Sequence, residues 1–158
     1  MSIVITFPGV TGNTAVAAHT GWIDIYNFNQ TITSPTSASG TGSSSGKSEL
    51  HDFSFSAKEE THCVDIIKNG MSGKHFPTVQ VDYIKQTGAG VPEVYKTCIM
   101  TEVYITHYTS SRSENQDGIE SWNMSAKKAK WEFFKQNTSG GLDSIGDVTV
   151  DGASGEIS

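Results

Sequence analysis

The segment whose residues come nearest to a chemical motif is 42–48, GSSSGKS. Phosphate-binding loops of nucleotide-binding proteins end in Gly-Lys-Ser, and their backbone N–H groups and lysine bind phosphate. That motif needs a glycine five residues before Gly46, and this position holds Thr41. It also needs a helix after the loop, whereas Leu50 and Phe53 belong to a segment typical of a strand. We therefore do not expect nucleotide binding.

The histidines and cysteines supply side chains that can bind a metal ion, and they are His51, His62, Cys63, His75 and Cys98. None of them forms a CxxC or HxxxH pair, and on a helix the adjacent His62 and Cys63 diverge by about 100°. We expect no metal site. The two cysteines can form at most one disulfide, and we expect two buried thiols in a protein folded in a reducing cytosol.

Nucleophilic catalysis needs a serine or cysteine beside a base and an orienting acid. Serines are abundant, but the sequence contains no GxSxG elbow, and its carboxylates are scattered. The sequence therefore predicts neither a catalytic residue nor a cofactor. Within the enzyme class the alternative is a hydrolase, which would need convergent polar groups in one pocket.

Composition and charge exclude further classes of protein. The chain has 158 residues, 35% hydrophobic residues and a net charge of −6, so it fits a single domain, residues 1–158, with a core of moderate size. Negative charge disfavours nucleic acid or an acidic membrane surface as the main partner. No apolar run is long enough to span a bilayer, and the N-terminus lacks the basic region of a signal peptide.

One helix is expected, over about residues 61–72. Thr61 is a suitable N-cap, and Gly70 or Gly73 can take the left-handed conformation that ends a helix before Pro77. A single apolar stripe is expected at spacings of three and four, formed by Val64, Ile67 and Met71.

The rest of the chain is typical of strands joined by polar turns. Strands are predicted over residues 2–7, 21–32, 49–57, 78–86, 94–108, 119–136 and 148–150, with 94–108 forming two strands or one bent strand. This pattern predicts a mainly β (α+β) fold, an antiparallel barrel of two packed sheets or a sandwich, with one flanking helix.

Two segments have compositions that do not support a core. Residues 33–48, TSPTSASGTGSSSGKS, contain no large apolar side chain, so a long exposed loop is expected. Residues 137–158 form an acidic tail that is expected to be solvated and partly disordered rather than a calcium site; its acidic residues are Asp143, Asp147, Asp151 and Glu156.

Several short segments between residues 21 and 136 occur in a characteristic order. They are Gly21-Trp22-Ile23, Asp52-Phe53-Ser54-Phe55, Ser72-Gly73-Lys74-His75-Phe76-Pro77 leading into Val79-Gln80-Val81, Thr101-Glu102-Val103-Tyr104-Ile105 with Ser110 and Ser111, and residues 120–133. In this order and spacing the chain resembles the Hcp family (hemolysin-coregulated proteins), the tube proteins of bacterial type VI secretion systems. The family usually ends in a strand with a Gly-Trp pattern, whereas residues 146–158 here are acidic and lack an aromatic residue.

The resemblance implies a β-barrel with one helix on its side, assembled into homohexameric rings that stack into a tube. The implied partners are other copies of the chain, sheath proteins, a VgrG-like spike protein and effector proteins in the lumen. It also implies a structural protein rather than an enzyme. The protein would be made in the bacterial cytoplasm and expelled through the type VI system without a signal peptide.

Two groups of residues receive roles on this basis. The long loop is predicted to contact the adjacent ring through Ser34, Pro35, Thr36, Ser44, Ser45, Gly46, Lys47 and Ser48. The helix exit is predicted to have a structural role, fixing the helix against the barrel through Ser72, Gly73, Lys74, His75, Phe76 and Pro77. A small-ligand barrel of the lipocalin kind remains the alternative to a tube subunit, and it would need an apolar interior cavity.

Overall fold

The computed structural model describes residues 2–33, 36–39, 42–45, 49–50, 52–86, 92–152, 154 and 156–158. Its strands and helix follow one another in the order β1 (Ser2–Thr6), β2 (Ile23–Asn29), β3 (Ile32–Thr33), β4 (Thr36–Ser39), β5 (Gly42–Ser45), β6 (Glu49–Leu50), β7 (Phe53–Lys58), α1 (His62–Gly70), β8 (Phe76–Gln86), β9 (Pro92–Ser111), β10 (Ile119–Gln136) and β11 (Leu142–Asp151). The helix is too short to cross a membrane, and no other helix in the described residues could do so.

The main sheet closes on itself. Its strand order is β11-β10-β7-β2-β1-β8-β9, and β9 also pairs with β10. Six antiparallel strands therefore form a closed barrel, with β11 added on the outside of β10. The first part of β10 pairs with β7 and the second part with β11, while β9 accompanies both parts. The predicted mainly β class and antiparallel barrel are confirmed.

Large side chains fill the barrel interior. Alternate residues of each strand point inward, and the bulkiest buried strand residues are Trp122, Trp131, Phe53 and Phe55; Phe7, just after β1, is buried with them. Their rings pack on one another; the centroids of Phe55 and Trp122, for example, lie 6.3 Å apart. Filling of this kind is typical of small barrels, whose interiors are packed cores rather than pores.

The segment predicted as two strands or one bent strand is a single strand, β9, with a bend near its middle. Glu102 has a φ of 52°, a left-handed conformation that is uncommon for a residue with a side chain. Its carboxylate lies 3.5 Å from the ammonium group of Lys127 on β10. The bend lets one strand follow the curved wall of the barrel and continue beside the β10–β11 pair.

The helix packs on the barrel through a different face from the one predicted. The predicted apolar stripe, Val64, Ile67 and Met71, does not make this contact, since these residues are 53%, 36% and 51% exposed. The buried residues are instead His62, Cys63, Ile66 and Gly70. Glycine is required where the helix crosses β9, because a Cβ atom at Gly70 would lie 2.5 Å from a side-chain carbon of Ile105.

The observed ends of the helix agree in part with the predicted ends. Thr61 is the N-cap residue, but its side chain makes no capping hydrogen bond. The helix ends at Gly70, two residues before the predicted end, and Gly73 takes the left-handed conformation with a φ of 84°. The predicted apolar stripe lies on one side of the helix, but that side is exposed, because the close backbone approach at Gly70 places another side against the barrel.

Two predictions about irregular segments also need correction. Within residues 33–48, which were predicted to be a loop, β4 pairs with β5, and the base of this hairpin is continued by the pairing of β3 with β6. The tail was predicted to contain only a strand at residues 148–150, but β11 covers Leu142–Asp151 and pairs with β10. Backbone pairing does not require apolar side chains on both faces of a strand. Composition alone therefore did not predict the β4–β5 hairpin or the full length of β11.

Candidate functional site

The predicted helix-exit residues are held by contacts on both sides of a tight turn. The Ser72 hydroxyl donates a hydrogen bond to the carbonyl oxygen of Asn69, 3.0 Å away. The His75 ring packs on Tyr104 of β9, with 5.5 Å between ring centroids. Phe76 is 4% exposed and makes an edge contact with Phe7 at 5.0 Å. These contacts are those of a structural turn, and the role assigned to it remains a prediction.

Lys74 and Pro77 complete this group and are both exposed. Gly73 has open space where a Cβ atom would lie, so a larger residue there would be opposed by backbone conformation alone. Phe76 pairs with Val103 and starts β8. The turn therefore connects the exposed end of the helix directly to the barrel wall.

The predicted ring-contact segment is only partly within the described residues. Ser34, Pro35, Gly46, Lys47 and Ser48 lie outside them. Thr36 pairs with Ser45 and Ser37 with Ser44 in the β4–β5 hairpin.

The base of the hairpin is attached to the barrel. Leu50 of β6 packs against the core, and the indole N–H of Trp131 donates a hydrogen bond to the side-chain oxygen of Gln30. A strand at Glu49–Leu50 follows the Gly/Ser segment rather than a helix. That arrangement does not provide the helix N-terminus that a phosphate-binding loop needs.

The cysteines and histidines considered as metal ligands are not brought together. Cys63 and Cys98 are buried and unbonded to each other. Burial raises the pKa of both thiols, that of Cys98 to about 12, so both have little thiolate character. Within the described residues no group of three His, Cys, Asp or Glu side chains could hold a metal ion; His51 lies outside them.

A buried polar pair that sequence reasoning missed connects the 12–22 loop to the barrel. The imidazole Nε2 of His19 lies 2.9 Å from the Asp82 carboxylate, and its Nδ1 lies 2.9 Å from the carbonyl oxygen of Ala17. The other Asp82 oxygen accepts hydrogen bonds from the side chains of Gln80 and Thr97. Asp82 is 5% exposed, so a charge there needs these partners.

A second buried polar group lies among the β9–β10 residues near the start of α1. Glu120 is 1% exposed, and burial together with a hydrogen bond to its carboxylate raises the pKa of Tyr108 to about 12. Among the described residues, the other Glu120 oxygen and the indole N–H of Trp122 have no hydrogen-bond partner. Glu120 and Trp122 are both buried, at 1% and 0% exposure.

The surface of the described part of the chain carries shallow grooves that are open to solvent. One groove near the N-terminal strand is lined by Ser2, Ala15, Val16, Asp24 and Tyr26, and it is open to solvent. Asp24 accepts a hydrogen bond of 2.6 Å from the Thr14 hydroxyl. The described lining of the groove supplies a serine hydroxyl, a carboxylate, a phenol and small apolar side chains, but no histidine that could activate the serine.

Comparison with known proteins connects this fold to one family. A family model described as "Type VI secretion system effector, Hcp" matches residues 4–133. A search of curated protein sequences gives no match.

Solved structures of low sequence identity share the whole fold. A structure described as that of a type six secretion system protein has a TM-score of 0.89 at 18% identity, with 99% of each chain covered. Hcp1 from Salmonella typhimurium gives a TM-score of 0.76 at 19% identity, covering 99% of this chain and 98% of that one. A type VI secretion system effector from Yersinia pestis gives 0.72 at 21% identity, covering 94% and 98%.

The family match covers most of the chain, and the similar structures cover almost all of it, including β11. We conclude that the chain belongs to the Hcp family, the tube proteins of type VI secretion systems.

Proposed function

We propose that this chain is the structural subunit of a type VI secretion tube. Six copies form a ring, rings stack into a tube, and a contractile sheath expels the tube with its VgrG-like spike. The lumen of the ring carries or protects effector proteins. The single observation that supports this proposal most strongly is the family match over residues 4–133, a range that contains all six strands of the closed barrel except the ends of β1 and β10.

The filled interior supports a tube subunit over a small-ligand barrel. A lipocalin-like protein needs an apolar cavity inside the barrel. Here Trp122, Met124, Phe53 and Phe55 are at most 1% exposed and occupy that interior. A thermal shift on addition of hydrophobic ligands to a monomeric protein would favour the ligand-binding alternative.

A structural rather than enzymatic role is part of the same proposal. The two thiols are buried with raised pKa values, and the buried His19–Asp82 pair is covered by the loop that carries it. The protein is proposed to be made in the bacterial cytoplasm and to leave through the type VI system without a signal peptide, a route that the family match supports.

The test of the proposal is the mass of the assembled protein in solution. We expect light scattering or native mass spectrometry to give six times the subunit mass of 17.0 kDa, and negative-stain electron microscopy to show rings. A closed ring of identical subunits is built from head-to-tail contacts whose rotation closes. A strictly monomeric protein at high concentration would contradict the proposal.

A further inference from the structure

The 12–22 loop lies across the outer face of the barrel wall. The neighbours of Val4 on β1 pack in the core, so the side chain of Val4 points to the outside of the barrel. Val4 is nevertheless 0% exposed. It pairs with Asp24 on one side and with Asp82 on the other, and both acids bind side chains of the loop. The loop therefore covers an apolar part of the wall from outside.

Two side-chain contacts fix the loop to the wall. The Thr14 hydroxyl donates a hydrogen bond to Asp24, and the His19 imidazole contacts Asp82. Ala18, next to His19, has a φ of 66°, a left-handed conformation that is unfavourable for a residue with a Cβ atom. Backbone strain of this kind persists only where surrounding contacts hold it. The two contacts therefore keep the loop closed against its own backbone preference.

The partners of His19 determine where its hydrogen atoms lie. Its Nδ1 lies 2.9 Å from the carbonyl oxygen of Ala17, which can only accept, so Nδ1 carries a hydrogen. Its Nε2 lies 2.9 Å from one oxygen of Asp82. The other Asp82 oxygen accepts hydrogen bonds from Gln80 and Thr97, which favours the ionised carboxylate. The proton shared with Asp82 therefore belongs to Nε2, and His19 carries a positive charge when the loop is closed.

The charges around the contact leave His19 as the basic partner of Asp82. Asp82 is 5% exposed, and among the described residues the one ion pair that includes it is with His19. The loop and β1 have no other charged side chain. Those at neighbouring positions of the surrounding strands are Asp24 on β2, Lys85 on β8, Glu93 and Lys96 on β9, and Lys130 and Glu132 on β10. The three lysines lie against Tyr95, Tyr83 and Glu132, respectively. A buried carboxylate needs a compensating charge, and the imidazolium supplies it.

From these observations we propose that one proton on Nε2 of His19 locks the 12–22 loop onto the barrel, and that loss of this proton as the pH rises releases the loop. Without the proton, a nitrogen lone pair and a carboxylate oxygen face each other at 2.9 Å in a buried site. The closed loop binds the proton more tightly than the open loop does. Closure is therefore stabilised at lower pH and loses this contribution as the pH rises. The lock belongs to the subunit and does not depend on ring formation.

The lock controls access to an apolar surface on the outside of the barrel. Ile84 lies two residues after Asp82 on β8, is 3% exposed, and borders the same groove as Val16 and Ala17 of the loop. Opening of the loop exposes Val4 and Ile84 together. Contiguous exposed apolar residues favour association, so the closed loop keeps this part of the wall from associating.

Hydrogen exchange measured by mass spectrometry tests the lock in the full-length protein. The measured quantity is the protection factor of peptides that cover residues 12–22, which corrects for the pH dependence of exchange in a free chain. We expect it to fall as the pH is raised from about 6 to about 9, with a slope that approaches about tenfold per pH unit, the limit for one proton. Peptides from β1 and β8 should keep their protection. Equal protection of the loop across this range would overturn the lock.

The variant Asp82→Asn should change the sign of the pH dependence. The new amide keeps an oxygen for Gln80 and Thr97 and places an N–H donor opposite His19, where a neutral imidazole can accept it. We expect the loop of this variant to be protected at high pH and released as the pH falls, because the proton that His19 then gains has no acceptor. Protection that still falls with rising pH would overturn the lock.

Thr14→Val is the matched control, because it removes the other side-chain contact of the loop and leaves His19 and Asp82 in place. Its loop should be less protected by a similar factor at every pH, with the slope of the wild type. Loss of the slope would assign the pH dependence to Asp24 and overturn the role of His19. Far-UV circular dichroism checks that each variant keeps its barrel.

Solid-state NMR of protein labelled with ¹⁵N in its histidines measures the protonation of His19 directly. The His19 signals are identified by their absence from the variant His19→Gln. Both ring nitrogens should carry a proton while the loop is protected, and one should lose it over the pH range in which protection falls. A neutral His19 imidazole in a protected loop would overturn the lock.

Discussion

His62 lies at the first residue of α1 with a side chain that is almost completely buried. Among the described residues, neither of its ring nitrogens has a hydrogen-bond partner. Burial lowers the pKa of His62 from its usual value of 6.5, so the neutral imidazole is favoured in the folded subunit. A buried polar group without partners reduces stability by about 1–3 kcal/mol.

We predict that His62→Leu stabilises the subunit and weakens its sensitivity to acid. Below pH 6.5 the unfolded chain binds a proton at His62 more readily than the folded one does, so the wild type loses stability as the pH falls. The variant should gain about 1 kcal/mol of unfolding free energy at pH 7.5 and lose less of it at pH 5.5. Urea unfolding at both pH values and one protein concentration measures this.

The matched control for that prediction is the exposed histidine of β9. His107→Leu should change the unfolding free energy by about 0.5 kcal/mol or less and leave the pH dependence as it is in the wild type. A marked destabilisation by His62→Leu with an unchanged acid response would show that this imidazole is hydrogen-bonded in solution.

At the residue scale, sequence reasoning found turns and buried apolar positions more readily than polar pairs. Gly70 or Gly73 was expected in the left-handed region because glycine at a helix end is a local signal, and of the two it is Gly73 that has this conformation. His19 and Asp82, in contrast, are separated by most of the first half of the chain, and their contact depends on β1 joining β2 to β8. An aspartate inside an apolar strand pattern is the one signal that could have suggested a buried partner.

At the scale of elements, the helix is positioned by one glycine. Substitution of Gly70 by alanine would place the new Cβ 2.5 Å from Ile105, and the helix would have to move away from β9. We predict that Gly70→Ala destabilises the subunit by about 2 kcal/mol, although alanine is the better helix former. Urea unfolding measures this.

A double-mutant cycle distinguishes this collision from a general effect on the helix. Ile105→Ala removes the side-chain carbon that the new methyl group meets at 2.5 Å, although the Cβ of residue 105 remains 2.9 Å away. The double variant Gly70→Ala/Ile105→Ala should therefore be destabilised by less than the sum of the two single variants. The coupling should be about 1 kcal/mol. Strict additivity would mean that Gly70 is not in contact with Ile105.

The barrel strands could be predicted because their apolar residues alternate, and Ile119–Gln136 was predicted with the bounds that the structure has. The β4–β5 hairpin and β11 were missed for a common reason. Both are stabilised by backbone pairing to a neighbour, and their sequences carry little apolar signal. Val150 is 1% exposed and packs in the core, so residues 148–150 were the only part of β11 with a visible pattern.

At the scale of the molecule, the chain forms the β4–β5 hairpin between the two short paired strands β3 and β6. We predict that it contacts the adjacent ring, because a polar hairpin contributes nothing to its own core. Removal of residues 36–45, with the base strands rejoined by a short glycine linker, should leave rings of normal mass but impair stacking. In a strain that depends on this chain for its tube, the deletion should reduce sheath assembly and secretion relative to the wild type.

The control for the hairpin is the exposed turn at residues 112–118, between β9 and β10. Replacement of its outer residue Glu114 by alanine should affect neither rings nor secretion. Normal secretion and normal sheath assembly by the hairpin deletion would refute the stacking role and leave the ring proposal intact.

Barrel closure also has a consequence for how the chain folds. The β9–β10 hairpin pairs residues that are close in sequence. Other pairings of the barrel, Lys58 with Ile119 and Ser2 with Ile84, join residues that are about sixty to eighty positions apart. Such distant pairings form slowly, so we expect refolding in milliseconds to seconds, measured by stopped-flow tryptophan fluorescence at Trp122 and Trp131. A microsecond refolding phase would contradict this. Until the seam between β7 and β10 closes, each new subunit exposes two unpaired strand edges that can pair wrongly with another chain.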